Sequence, residues 1–445
     1  MHIVIAGAGA IGFHLAEVLS KENHDITLID TDEDVLNNAG RQLDVLTILG
    51  DATAYKIQEQ AKLNKAKLFI AVTTSDSTNL LAAIMAKKSG LKTIARVSNT
   101  DHLGKESAEK FREQGIDELI SPKHLAAEEI QRLIERASFT DLFEFENGKI
   151  SVVGFTIDGD CPLANLTVER AYEKAEDFQF RGIAILRGHT TIIPTLRTKL
   201  YKGDHFYMST KSQSLEKAKR FIGKQQKPIK RIMILGETAL ALETAQILEK
   251  DYSVTIVVQS EVSGKKFINH LENSLVIVSD PSNIDALKEE GLERMDAVIA
   301  LTPNAEINII ACLKAVELKI YKTIAMVDNI NYIHISQNIG IDTIINKKLV
   351  AANSIIRFVR KGKVEAIASL HGVDAEIIEF EIHKKNRILR NDLSDLRLPD
   401  KSIIAGVVRG EDSFVPKLDF QFQIGDKVII LALPDVIHQL EEIFK

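Results

Sequence analysis

The chain has 445 residues, of which 45% are hydrophobic and 27% charged, and its formal net charge is −6. This length allows several domains, and the mild acidity argues against a nucleic-acid-binding protein, because affinity for phosphate depends on clustered Lys and Arg. Two cysteines are too few for a disulfide framework or a CxxC metal site. We expect neither a signal peptide nor a membrane-spanning apolar run, so the sequence favours a cytoplasmic protein.

Strand patterns alternate with helix-length segments over the first part of the chain. The strand patterns are continuous apolar runs, which are typical of strands covered on both faces, as in a parallel sheet. A helix is predicted to begin after Ser121, to extend to about Ala137 and to lead out of this α/β part. The predicted strands are His2–Ala6, Asp25–Asp30, Val45–Leu49, Leu68–Val72 and Thr93–Val97.

A smaller part follows, with shorter strand patterns and a Gly-Asp turn before the last of them. Its size of roughly 80 residues is at the low end for a domain, and its pattern predicts a small α+β module. The predicted strands are Lys149–Ile157, Gly182–Leu186, Thr191–Pro194 and His205–Met208.

The second half of the chain repeats the first. Gly7 corresponds to Gly236 and Asn79 to Asn308 at one constant offset, and the Gly-Asp turn of the small module recurs at Gly425. The sequence therefore predicts an α/β protein with two Rossmann-like doubly wound parallel-sheet domains, each followed by a small α+β C-terminal module. The predicted domains are residues 1–138, 139–222, 229–360 and 361–445, with a short polar linker at 223–228.

A GxGxxG motif, Gly7-Ala8-Gly9-Ala10-Ile11-Gly12, follows the first predicted strand and opens a helix. In this context the glycines permit a tight turn, close approach of a pyrophosphate and close helix–strand packing, and the helix N-terminus attracts phosphate. Asp30, at the end of the next strand, would accept hydrogen bonds from ribose and repel a 2′-phosphate, which favours NAD over NADP. The alternative is that the glycines serve packing only.

Further candidate binding residues lie near the ends of the later strands, where ligands of such sheets bind. Asp51 could reach the adenosine end of a ligand, or it could cap the next helix. Arg96 could pair with phosphate, or it could form a surface salt bridge. The full set of these candidates is Asp51, Ala52, Thr53, Thr73, Thr74, Asn79 and Arg96.

The second copy has lost most of this apparatus. Threonine at the second glycine position puts a β-branched side chain where a pyrophosphate would pass, so we predict that this copy is structural or binds its ligand differently. The substituted residues, in the order of Gly9, Gly12, Asp30 and Arg96, are Thr238, Ala241, Gln259 and Met326.

No catalytic or metal-ligating residue is predicted. The histidines show no metal-binding spacing, and the sequence contains no nucleophile–base signature and no P-loop lysine. A nucleotide site without catalytic partners is typical of a sensor rather than of an enzyme.

Together these motifs resemble the regulator-of-potassium-conductance family, also called KTN or TrkA-N and TrkA-C domains, in the tandem layout of TrkA-type proteins. The resemblance covers essentially the whole chain. It implies a cytoplasmic subunit that docks beneath a potassium-translocating membrane subunit of Trk type and opens or closes it. It further implies self-association into a ring, of four chains for this two-copy layout, and binding of NAD(H), ATP or ADP with the phosphates near Gly9 and Arg96.

Two other functions remain open from the sequence. One is an NAD-dependent oxidoreductase acting on an unseen substrate, and the other is a regulator of a different ion transporter or antiporter. A nucleotide-responsive DNA-binding repressor would need a helix-turn-helix with a basic recognition helix, and none is predicted.

Overall fold

A computed structural model describes the chain apart from residues 23, 136–138, 140, 147, 160, 189, 224–228, 330–339, 361–366, 370–374, 384–386, 391–392, 394–395, 397, 418 and 445. Nearly all of the predicted linker and the predicted helix end at Ala137 therefore lie outside the described residues. So does the start of the last predicted domain, at 361.

The first α/β part begins at the first strand and ends with a long helix. Its strands are β1 (His2–Ala6), β2 (Asp25–Asp30), β3 (Leu46–Leu49), β4 (Leu68–Ala71), β5 (Lys92–Arg96) and β6 (Glu118–Ile120). Its helices are α1 (Ala10–Lys21), α2 (Glu33–Gln42), α3 (Tyr55–Gln60), α4 (Asp76–Lys87), α5 (Lys105–Glu113) and α6 (Pro122–Glu135). The strands form one parallel sheet in the order β3-β2-β1-β4-β5-β6, which is the Rossmann order.

Polar side chains cap the N-termini of two of these helices. The Asp32 carboxylate accepts the backbone N–H groups of Asp34 and Val35 at the start of α2, and the Ser75 hydroxyl accepts that of Thr78 at the start of α4. Such caps satisfy N–H groups that have no partner within the helix.

The first small module is an antiparallel sheet with two helices. Its elements are β7 (Asp141–Phe145), β8 (Ile150–Thr156), α7 (Val168–Lys174), β9 (Phe180–Arg187), β10 (Thr190–Ile192), β11 (His205–Lys211) and α8 (Leu215–Phe221). The strand order is β10-β9-β11-β8-β7. Its Gly-Asp turn is held by Asp204, whose carboxylate accepts two hydrogen bonds of 2.8 Å from the Arg187 guanidinium.

The second α/β part repeats the first. Its strands are β12 (Arg231–Leu235), β13 (Ser253–Val258), β14 (Leu275–Val278), β15 (Ala297–Ala300), β16 (Lys322–Met326) and β17 (Thr343–Ile345). Its helices among the described residues are α9 (Ala239–Leu248), α10 (Glu261–Ile268), α11 (Ile284–Glu289), α12 (Ala305–Glu317) and α13 (Lys347–Arg360). The strand order is β14-β13-β12-β15-β16-β17, the same as in the first sheet.

The second small module repeats the first one as well. Its elements are β18 (Ile367–Ser369), β19 (Glu376–Glu381), β20 (Ser402–Arg409), β21 (Asp412–Phe414), β22 (Lys427–Ala432) and α14 (Ile437–Phe444). The strand order β18-β19-β22-β20-β21 matches that of the first small sheet. The predicted fold class, two Rossmann-like domains with small C-terminal modules, is confirmed.

The two α/β parts exchange their last helices. Ala126 and Ile130 of α6 are fully buried in the core of the second sheet, while Ala351 and Ile355 of α13 are fully buried in the core of the first. The helix α6 also carries His124, whose Nδ1 lies 2.7 Å from the Glu243 carboxylate on α9. The helix that the sequence predicts to lead out of the first part thus completes the second one.

The two small sheets also share a core, which contains Val152 and Leu186 from one sheet and Ile377 and Leu431 from the other. The Lys149 ammonium donates to the carbonyl of Gly410 across this contact, at 2.6 Å. Each small sheet therefore buries one face against its repeat. Within the described part of the chain, every helix is too short or too polar to traverse a lipid bilayer.

Candidate nucleotide-binding site

The glycine loop connects β1 to α1, and two of its three glycines are required by packing. Gly7 has φ +101°, and a Cβ there would lie 2.8 Å from the backbone nitrogen of Thr73. A Cβ at Gly12 would lie 1.8 Å from the carbonyl oxygen of Gly7. No L side chain fits at either position without moving backbone, so these two glycines alone do not indicate a ligand.

Gly9 differs from these two glycines because packing does not require a glycine at its position. Its backbone is extended, with φ −64° and ψ −171°, and a Cβ there would meet no atom within 4 Å. Gly9 is the N-cap of α1, and no side chain caps the helix. The first N–H groups of α1 therefore have no side-chain cap, and the positive end of the helix lies beside open space at Gly9, which is an arrangement suited to binding phosphate.

Asp30 ties the glycine loop to the neighbouring strand. Its Oδ2 accepts the backbone N–H of Ala8 at 2.6 Å, and its Oδ1 accepts that of Asp32 at 3.1 Å. The carboxylate lies half-buried at the carboxyl end of β2, beside the loop. Of the other loop residues, Ala8 and Ile11 are buried, whereas Ala10 is exposed at the start of α1.

Asp51 does not cap the following helix, because α3 begins after Ala54. Instead its Oδ1 accepts the backbone N–H and the hydroxyl of Thr53, both at 2.8 Å. These hydrogen bonds lower the pKa of Asp51, chiefly through the backbone N–H. The exposed carboxylate is thus fixed and ionised after β3, while Ala52 is buried beneath it.

Asn79 clasps the loops that follow β4 and β5. Its Oδ1 accepts the N–H and the hydroxyl of Thr73, at 2.9 and 2.7 Å, and its Nδ2 donates to the carbonyls of Thr73 and Arg96, at 3.1 and 3.0 Å. The side chain is fully buried. The amide therefore positions the crevice, and direct contact of Asn79 with a ligand stays a prediction, as does that of the exposed Thr74.

Arg96 presents a guanidinium without an acidic partner. Its Nη1 donates to the carbonyl of Thr73 at 2.8 Å, and its Nε is buried with no hydrogen-bond partner. Within the part of the chain that the structure describes, no carboxylate lies in ion-pair distance of it. The surface salt bridge that the sequence left open is absent there, and the remaining N–H donors are available to an anion.

Asp76 is a residue of this region that the sequence analysis did not single out. Its Oδ2 accepts the backbone N–H groups of Ser98 and Asn99, at 2.7 and 3.1 Å, and its Oδ1 is buried without a partner. In the sequence it looks like an ordinary acidic residue in the first turn of α4, so only the tertiary structure shows that it holds the loop after β5.

The second copy keeps the clasp of the first. The Oδ1 of Asn308 accepts the N–H and hydroxyl of Thr302, at 2.9 and 2.7 Å, and its Nδ2 donates to the carbonyls of Thr302 and Met326, both at 2.9 Å. Because this clasp is the same in a copy that lacks the complete glycine motif, it belongs to the fold rather than to phosphate binding. Met326 occupies the position of Arg96, as the sequence alignment of the copies predicts.

The helix N-terminus of the second copy is closed by Thr238. The threonine hydroxyl accepts the N–H of Ala241 at 3.1 Å and donates to the carbonyl of Leu301 at 3.0 Å. Thr238 therefore provides a side-chain cap that Gly9, which has no side chain, does not provide. Among the described residues, no group of three His, Cys, Asp or Glu side chains could hold a metal ion.

Comparison with known protein families gives two matches. The family model described as "TrkA-N domain" matches residues 3–122 and 232–347, and that described as "TrkA-C domain" matches residues 377–445. The first small module, although its strand order is the same, falls outside these matches.

Similar proteins extend over the whole chain. "Trk system potassium uptake protein TrkA homolog 1" of Methanosarcina mazei is 30% identical over 456 residues, covering 100% of both chains. "Trk system potassium uptake protein TrkA" of Haemophilus influenzae is 30% identical over 454 residues, covering 100% of this chain and 99% of its own. The solved structure "GsuK channel bound to NAD" shares the fold with a TM-score of 0.60 at 15% identity, covering 100% of this chain and 78% of that one.

Proposed function

Because this chain belongs to the TrkA family of Trk system potassium uptake proteins, we propose that it is the cytoplasmic regulatory subunit of a Trk-type potassium transporter. It binds NAD(H), or ATP or ADP, in the crevice of the first Rossmann-like domain. Binding there opens or closes a potassium-translocating membrane subunit on which the chain docks, as an assembly of four chains in a ring.

The observation that carries the nucleotide site is the difference between Gly9 and Thr238. In the first copy the N-terminus of α1 is uncapped and the space above Gly9 is empty, whereas in the second copy a hydroxyl fills the equivalent place. The Arg96 guanidinium, which has no acidic partner among the described residues, adds positive charge at the same crevice. A pyrophosphate would neutralise that charge and accept the free N–H groups.

Asp30 and Asp51 would meet the ribose and the adenosine end. A carboxylate accepts hydrogen bonds from hydroxyls, and the Asp30 carboxylate would repel a 2′-phosphate, so NAD(H) is favoured over NADP(H). The nucleotide would act as a ligand and would not be consumed. The relatives carry the names of potassium uptake proteins, which confirms the prediction that the chain is not an enzyme.

Gating requires that the ligand bind two conformations of the chain with different affinity. The contacts that could differ are those at the N-terminus of α1, because this helix also packs on α13 from the second half of the chain. Coupling of this kind is typically worth about 1–3 kcal/mol, or roughly 5- to 150-fold in affinity.

The test is rubidium uptake into vesicles that hold the Trk membrane subunit, with purified chain and each of NADH, NAD, ATP and ADP. We expect the uptake rate to change with at least one nucleotide, and that change to disappear in Arg96→Met, which copies the second crevice. Arg112→Met, an exposed position on α5, is the matched control and should behave like the wild type. If the uptake rate is the same with and without the chain, while the chain still binds nucleotide, the regulatory role is refuted.

Two measurements separate the remaining parts of the proposal. Light scattering should give a mass of four chains of 49.4 kDa each. Co-purification with the membrane subunit of a different ion transporter or antiporter, and not with a Trk subunit, would instead support the alternative regulator.

A further inference from the structure

The second Rossmann-like domain contains a crevice of about 600 Å³ at the carboxyl ends of its strands. This is the place where the first domain has its candidate nucleotide site, and the volume lies within the range of about 300–1,000 Å³ that is usual for small-molecule sites. Its lining includes Gly236, Glu237, Gln259, Asp280, Thr302 and Asp328.

The features that would hold phosphate are missing from this crevice. Thr238 caps α9, and the position of Arg96 is occupied by Met326, whose side chain carries no charge. Among the described residues, the crevice lining has no Lys or Arg but has four acidic side chains, and the nearby Lys347 ammonium lies 3.6 Å from the Asp328 carboxylate. A polyphosphate placed here would meet like charges, which lower its affinity. The four acidic lining residues are Glu237, Asp280, Glu306 and Asp328.

The second crevice keeps the aspartate turn that, in the first crevice, lies where the nucleoside part of a ligand would bind. The Oδ1 of Asp280 accepts the N–H and hydroxyl of Ser282, at 2.9 and 2.8 Å, which reproduces the turn of Asp51 with Thr53 in the first copy. As at Asp51, these hydrogen bonds lower the pKa of Asp280, so the carboxylate is ionised and fixed in position.

A carboxylate is also kept beside the glycine turn, although it comes from a different residue. In the first copy Asp30 at the strand end binds the N–H of Ala8 in the loop. In the second copy Glu237 in the loop binds the N–H and hydroxyl of Ser260, at 3.2 and 3.1 Å, just after the strand end. In both copies a carboxylate therefore links the glycine loop to the end of the second strand, from the strand in the first copy and from the loop in the second. An acceptor for ribose hydroxyls is kept in this way, although Gln259 has replaced Asp30.

From these observations we infer that the second crevice binds a nucleoside without phosphate, for which adenosine is the probe. The carboxylates of Glu237 and Asp280 accept the hydroxyl and amino donors of the nucleoside. Apolar lining residues flank the base, and the acidic lining excludes nucleotides. These apolar lining residues are Pro281, Pro303 and Ile307. The inference concerns a site separate from the proposed regulatory crevice and stands whether or not that crevice gates transport.

The experiment is calorimetric titration of the full chain with adenosine and with ADP, in the wild type and in Gly9→Thr, which installs the cap of the second copy in the first crevice. We expect about one adenosine per chain in both proteins, and ADP should bind Gly9→Thr at least about tenfold more weakly than it binds the wild type. Glu237→Gln should weaken adenosine binding about tenfold or more, because it removes a charged acceptor of hydrogen bonds. Glu289→Gln, which makes the same change at an exposed position outside the lining, should leave it unchanged.

Three results would overturn the inference. Adenosine that fails to bind the wild type at millimolar concentration would show that the crevice takes no nucleoside. Adenosine binding that survives Glu237→Gln but is lost in Asp51→Asn, which changes the acidic side chain at the adenosine end of the first crevice, would place the nucleoside in the first crevice. ADP that binds Gly9→Thr as tightly as adenosine does would show that the acidic lining excludes nothing. A thermal melt of Glu237→Gln is run beside the titration, and if this variant unfolds early, Asp280→Asn, at the other proposed acceptor, takes its place with the same expected loss.

Discussion

The substitution Gly9→Thr should weaken nucleotide binding without changing the stability of the fold. Gly9 and Thr238 have similar extended backbones, with φ −64° and ψ −171° against φ −78° and ψ 160°. A Cβ at Gly9 meets no atom within 4 Å, so threonine adds no clash. Its hydroxyl should accept the N–H of Gly12 as Thr238 accepts that of Ala241. Threonine in place of glycine at an N-cap changes stability by only a few tenths of a kcal/mol.

The same exchange should weaken the binding of any ligand whose phosphates lie at α1. It takes away an N–H donor of the helix end, and a hydrogen bond to a charged group contributes about 1.5–3 kcal/mol. The dissociation constant should therefore rise at least about tenfold. Calorimetry with NADH, NAD, ATP and ADP measures the affinity, and a thermal melt of the same protein measures the stability.

Gly104→Thr is the matched control, because Gly104 is also an uncapped N-cap with negative φ, at α5. It should keep both affinity and melting temperature. A Gly9→Thr protein that binds within twofold of the wild type would refute the reasoning, since the pyrophosphate would then not pass Gly9. Lost binding together with a large fall in melting temperature would equally contradict it, because the cap would have disturbed the fold.

Three further predictions follow from the packing. Asn79→Ala and Asn308→Ala should each lower the free energy of unfolding by about 3 kcal/mol, measured by urea titration, because each leaves buried backbone groups unpaired; an unchanged urea midpoint would contradict the clasp. Burial raises the pKa of Asp117, but hydrogen bonds from Lys87 and Thr93 outweigh it and hold the pKa below its ordinary value. Its contribution to stability should be complete above about pH 4 and be lost as the pH falls through the lowered pKa, so Asp117→Asn should flatten the acid limb of a stability–pH curve. A fragment of residues 1–222 lacks α13 and should aggregate or melt well below the full chain by circular dichroism, whereas a domain complete in itself would melt like the full chain.

Local patterns in the sequence predict the strands of the first half of the chain apart from β6 and β7. The strands β1 and β2 have the predicted limits, and β3, predicted from Val45, begins one residue later. The strand β7 was not predicted, because its sequence Asp-Leu-Phe-Glu-Phe is short and mixed in polarity, and its place as an edge strand depends on pairing with β8. The α/β class followed from the alternation of strand and helix patterns, and the two-copy layout followed from the repeat; neither needs contact information.

The roles of the site residues depend on contacts that spacing does not show. Asn79 looks like a ligand contact at a strand end until its amide is seen to reach the carbonyl of Arg96, 17 residues away. The turn of Asp51 with Thr53 and a helix cap cannot be told apart locally, since in both an aspartate accepts the N–H of a residue two or three positions further along the chain. The distinction between Gly9 and the two packing glycines needs the positions of Thr73 and of the Gly7 carbonyl.

The exchanged helices give the degenerate copy a function that does not depend on a ligand. Helix α1 carries the proposed phosphate site at its N-terminus, and its apolar side packs with α13, which belongs to the second half of the chain. Helix α6 of the first half packs in turn on α9 of the second half. Because protein cores are closely packed, a ligand that moves α1 must also move α13 or open a gap between them. The contact between the halves is therefore built from helices and not only from the segment 223–228, so the loss of phosphate-binding residues in the second copy leaves this connection intact.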